Sequence, residues 1–88
     1  MEGLPVYQEW EYRLVPSGHY TDTYYRVFLG TVNWSRIGGG EKVAITVLMQ
    51  YGGVIHYQMP AHILEQDVPA VLSAIEELRT HRQSWISN

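Results

Sequence analysis

Four histidines are the residues of this chain best suited to metal or acid–base chemistry: His19, His56, His62 and His81. Such chemistry needs ligands or proton carriers brought together, and the commonest local device sets two of them on one helix face or on alternate strand positions. None of the four stands in an HxxxH or HxH pair. His19 lies in a polar stretch beside Tyr20 and Asp22, and His62 falls just beyond Pro60. His56 belongs to a strand-like segment, where a tolerated strand residue is the simpler reading. His81 sits near the end of a helical segment, where a cation suits the dipole and needs no other role. The expectation is no metal site, no cofactor and no catalytic residue.

Nucleophile chemistry is equally poorly served. The chain has no cysteine, which removes thiolate nucleophiles, thiolate zinc sites and disulfides together. It has no Gly-x-Ser-x-Gly elbow. Gly38-Gly39-Gly40-Glu41-Lys42 shares residue types with a phosphate-binding loop but lacks its spacing and its Lys-Ser/Thr ending. A flexible connection is the better reading, since consecutive glycines cost too much backbone entropy inside an element. Asn33-Trp34-Ser35 fits the N-glycosylation triplet, yet Met1 to Pro5 shows neither the basic region nor the apolar run of a secretory signal. No apolar stretch approaches the ~20 residues that span a bilayer. A cytoplasmic, non-enzymatic protein without membrane contact is expected.

Charge narrows the partners. Nine acids against six lysines and arginines leave a net charge of −3. Lys42 is the single lysine, and Arg13, Arg26, Arg36, Arg79 and Arg82 are scattered along the chain. Nucleic-acid binders draw most of their affinity from a basic patch that neutralises phosphates, so this balance disfavours nucleic acid. It is also too mild for a polyanionic mimic.

Aromatic residues carry the remaining signal: seven Tyr, three Trp and one Phe in 88 residues. They concentrate in strand-like segments, where three readings compete. Aromatics fill small cores. They anchor protein interfaces. They also stack on unpaired bases, at ~1–3 kcal/mol per base.

The elements that would hold these side chains follow from hydrophobic period. Val6 to Val15 alternates, with Trp10, Tyr12 and Leu14 on one face and Glu9, Glu11 and Arg13 on the other. The Pro16–Thr23 stretch is turn chemistry. The next strand, Tyr24 to Trp34, is apolar on both faces: Tyr24, Phe28, Val32 and Trp34 at even positions, Tyr25, Val27 and Leu29 at odd ones. Lys42 to Gln50 and Val54 to Met59 form a hairpin around Gly52-Gly53. A one-residue slip swaps every side chain to the other face, so the apolar pattern selects a three-residue loop with Gly53 left-handed, pairing Met49 with Ile55. Pro60 ends the fourth strand. Asp67 reads as an N-cap, and Val68, Val71, Leu72, Ile75 and Leu78 recur at helical spacing in a helix reaching about Gln83.

Residues 1–88 therefore read as a single small α+β domain, a four-stranded antiparallel meander with one C-terminal helix packed on one face. Its order of four strands and a helix, with Ile55-His56-Tyr57-Gln58-Met59-Pro60 leading into a helical segment, resembles the transcriptional-coactivator class of single-stranded DNA-binding domains. Those dimerise through the helix and bind DNA on a curved basic sheet, and a basic sheet is what this chain lacks. One helix covers one face, so the doubly apolar strand calls for a second cover, and another protein surface is the expected one. The implied function is a protein-interaction domain, an inhibitor, adaptor or regulatory subunit of the kind phages and mobile elements encode. It would form a homodimer and bind a protein partner through Tyr24, Arg26, Phe28, Val32, Trp34 and Leu48. The alternative is single-stranded nucleic-acid binding on an aromatic sheet face.

Overall fold

The computed structural model describes residues 6–33, 41–57 and 60–86, the last four of these by backbone alone. Four strands, β1 (Val6–Pro16), β2 (Thr23–Asn33), β3 (Glu41–Tyr51) and β4 (Val54–His56), form one sheet in the order β1-β2-β3-β4, all neighbours antiparallel. A short 3-10 turn (Glu65–Asp67) leads into helix α1 (Val68–Ile86). The α+β meander with a C-terminal helix is the expected arrangement. Trp34 and Met59 lie outside the described residues.

β2 is buried on both faces, as its composition requires. Its odd residues Tyr25, Val27 and Leu29 join Val15, Met49, Val71, Ala74 and Leu78 in the core beneath α1. The helix buries Val71, Ala74 and Leu78, while Leu72 is 55% exposed. Leu72, expected in the apolar stripe, thus turns outward, and Ala74, outside that stripe, faces the sheet.

Three expectations change, for related reasons. A β-bulge at Trp10 interrupts β1, which pairs Glu9 with Gly30 but Glu11 with Leu29. The extra residue keeps Trp10 against the helix-side core and reverses the alternation beyond it. Tyr12 and Leu14 therefore lie on the far face, opposite Phe28 and Arg26, while Glu11 and Arg13 lie beneath the helix. There Arg13 Nε donates to Glu77 at 2.8 Å, and His81 Nδ1 meets Glu11 at 2.7 Å.

The β3–β4 loop is the second change. It has two residues, pairing Tyr51 with Val54 and Met49 with His56, and the left-handed residue is Gly52 at φ 59°. A positive φ at the first loop position belongs to the glycine-first class of hairpin turn. His56 thereby comes to the helix side, edge-on to the Tyr51 ring at 4.6 Å, and Ile55 goes to the far side. The apolar pattern misled because the far face is not wet.

The helix start is the third. Asp67 precedes Val68, but Pro69 removes one of the backbone donors that an N-cap would reach. The carboxylate turns instead to the β1–β2 connection, accepting from Gly18 N–H at 2.9 Å and from Tyr25 O–H at 2.7 Å. The Tyr25 hydroxyl in turn accepts from Leu64 N–H at 2.9 Å. These bonds hold Asp67 below the usual carboxylate range, with the Gly18 amide the largest cause. Burial, then the bond to Asp67, raises Tyr25.

Candidate interaction surface

The far face of β2 presents Tyr24, Arg26, Phe28, Gly30 and Val32, the even positions. β1 contributes Tyr7, Glu9, Tyr12 and Leu14, and β3 contributes Thr46, Leu48 and Gln50, by register. Gly30 is where the bulged strand comes closest: an added Cβ would collide with the carbonyl of Gln8. That close approach lets Tyr7 and Tyr12 share one face although their numbers differ in parity.

Phe28, Val32 and Leu48 are 2%, 4% and 4% exposed, so the chain itself covers most of the apolar row. Tyr7 supplies part of the cover. Its ring meets Phe28 edge-on at 5.7 Å and stacks on Tyr57 at 5.9 Å. A tyrosine suits this position because its body is apolar and its tip can stay wet.

Arg26 is the polar centre of the face. Its guanidinium grips Glu9 with two hydrogen bonds of 2.9 and 2.6 Å and donates to Gln50 Oε1 at 2.9 Å. The same group lies 3.8 Å above the Tyr12 ring. Gln50 is held in place by donating to the Gly52 carbonyl at 3.0 Å. Fork geometry, ring stacking and a mostly covered side chain distinguish this pair from a loose surface bridge. The Glu9 bonds are the first cause of the raised pKa of Arg26, so the cation is fixed and already neutralised.

What the face leaves open is a rim of large side chains. Tyr12 is 46% exposed, Leu14 39% and Tyr57 53%. Of the residues expected to bind a partner, Arg26 and Tyr24 are half-buried and share this face with the buried Phe28, Val32 and Leu48. The residues that sequence reasoning missed are Tyr7, Glu9, Tyr12, Leu14, Gln50 and Tyr57. Gly30 was the one available signal, since an isolated glycine inside a strand marks a bulge or a close backbone approach.

Among the described residues no group of three or more His, Cys, Asp or Glu is placed to hold a metal ion. His62 is exposed, and His19 contacts the Ser17 hydroxyl in the β1–β2 connection. No described helix is long and apolar enough to cross a membrane. No protein family, curated protein or solved structure matches this chain.

Proposed function

We propose that this protein is a non-enzymatic interaction domain, an inhibitor, adaptor or regulatory subunit that self-associates and binds a protein partner on the far face of its sheet. The observation that carries this reading is the exposed rim of Tyr12, Leu14 and Tyr57 around a pre-positioned Arg26. Tyrosine and arginine are the side chains that most often anchor protein interfaces, because each brings apolar area and a fixed hydrogen-bonding tip. The internal Glu9 partner favours a protein over a nucleic acid. A guanidinium already paired with a carboxylate has no charge to spend on a phosphate, and the chain has a net charge of −3.

The test uses the double variant Tyr12→Ser with Tyr57→Ser. Both side chains are about half exposed, so the fold should survive, as circular dichroism would show. A pull-down from the native host should lose the partner seen with the wild type. Titration of labelled oligonucleotides at ~50 and ~200 mM salt addresses the alternative; submicromolar binding with a steep salt slope would replace the protein reading by the nucleic-acid one.

A further inference from the structure

The helix side of the sheet is covered unequally. α1 packs on β2 and β1, where Glu77 and His81 reach Arg13 and Glu11. On its opposite flank it meets the start of β3 across a cleft of about 330 Å³. Leu29, Val43, Ala44 and Ile45 line one side of the cleft, and Arg79 and Arg82 line the other. Val43 is 43% exposed there, although it belongs to the helix-side row of β3. The two arginines stand three positions apart, so they are neighbours on the helix surface, where like charges repel. Neither lies in the last turn of α1, so the helix dipole does not account for them. Arg79 holds Glu76 at 3.1 Å, but both side chains are more than half exposed, and such pairs contribute little. None of the described residues lining the cleft is acidic. In a chain of net charge −3, this is a local surplus of positive charge beside exposed apolar surface.

We propose that this cleft binds a small carboxylate that carries an apolar body. The carboxylate lies between Arg79 and Arg82, whose planar guanidinium forks match it in geometry and hold it by charge-assisted hydrogen bonds. An anion in that position also relieves the repulsion between the two cations. The apolar body lies on Val43 and Ile45, with Leu29 beneath, and takes the exposed part of Val43 out of water. The cleft stands at the small end of the roughly 300–1,000 Å³ that ligand pockets span, which selects a compact ligand. Each half of the site rejects a different competitor: the apolar floor gives inorganic phosphate nothing to rest on, and the paired cations give an uncharged analogue no advantage. The cleft shares no residue with the far-face rim of Tyr12, Leu14 and Tyr57, so it stands or falls apart from the reading above.

The test is a titration of the isotope-labelled full chain with phenylpropionate at fixed pH and ionic strength, followed by amide NMR. Saturable shifts are expected at Leu29, Val43, Ile45, Arg79 and Arg82. Phenylpropionamide, which lacks the charge, and inorganic phosphate, which lacks the apolar body, should each bind at least about tenfold more weakly. Arg79→Gln and Arg82→Gln change exposed side chains to another good helix former, so the circular-dichroism spectrum should not change. Each should weaken phenylpropionate about tenfold, the scale of one lost hydrogen bond to a charged group. Lys42→Gln, an exposed cation on the far-face row of β3, should leave binding as it is. The proposal is overturned by the absence of saturable shifts up to ~10 mM, where an affinity is barely specific. Equal binding of the amide or of phosphate overturns it too, as does a Lys42 variant that loses as much affinity as the two arginine variants.

Discussion

β2 packs against two unlike surfaces, and the contrast explains how one helix suffices. On its helix side, Tyr25, Val27 and Leu29 meet Val71, Ala74 and Leu78, a separate element laid across the strand. On its far side, Phe28 and Val32 are buried where no described helix lies, with Tyr7 edge-on to Phe28 and Tyr57 stacked on Tyr7. The first surface is closed by a separate helix; on the second, an amphipathic side chain, Tyr7, lies against Phe28. A sheet face without a covering helix is therefore not necessarily a bare one. The far face retains an exposed rim of Tyr12, Leu14 and Tyr57, the surface on which the proposed function rests.

The sharpest test of this contrast is a matched pair of truncations. Leu78→Ala removes a fully buried helix residue and should cost ~2–5 kcal/mol. If the far side is an equal core, Phe28→Ala should cost a comparable ~3–5 kcal/mol in a denaturant melt. A Phe28 variant that melts like the wild type would mean the tyrosine cover contributes nothing, and the comparison would collapse.

Gly30→Ala probes what makes the far side possible. The new methyl would strike a backbone carbonyl, which cannot rotate away as a side chain can. A loss of ~1–3 kcal/mol is expected, the usual scale for overpacking. A neutral result in thermal unfolding would show that the bulged strand can lift off at Gly30 without cost.

Tyr25→Phe tests the polar junction at the start of the helix. It strips Asp67 of a donor and Leu64 N–H of its acceptor, and a lowered melting temperature is expected. The pH dependence follows from the lowered pKa of Asp67. A carboxyl depressed in the folded state contributes stability that is full above its unfolded value, about 4, and is lost as pH falls through the folded value. The melting temperature of the wild type should therefore drop on acidification in that window, and that of Asp67→Asn should drop less. Equal acid sensitivity in the two proteins would remove Asp67 from the junction.

The smallest effect belongs to Leu72→Ala. Its side chain is 55% exposed on the outer helix face, so thermal melts should shift by no more than the ~0.5 kcal/mol typical of surface changes. A large loss would place Leu72 in the core and rotate the helix relative to the sheet.

The sequence by itself determined the elements and their order. Period-two and helical patterns, with Pro and Gly between them, place four strands and a helix close to their observed bounds, and the two-sided apolar composition of β2 requires burial on both faces. What only the tertiary structure decided was which side chains share a face. One extra residue at Trp10 inverts the rest of β1, and a two-residue turn in place of a three-residue one inverts β4. Both choices are settled by what lies across the sheet: the close approach at Gly30 admits the bulge, and Tyr51 gives His56 an aromatic neighbour on the helix side. Local patterns carry period but not parity across an irregularity. The site, with Tyr7, Glu9, Tyr12 and Tyr57 gathered about Arg26 and Phe28, became visible only when the strands were paired.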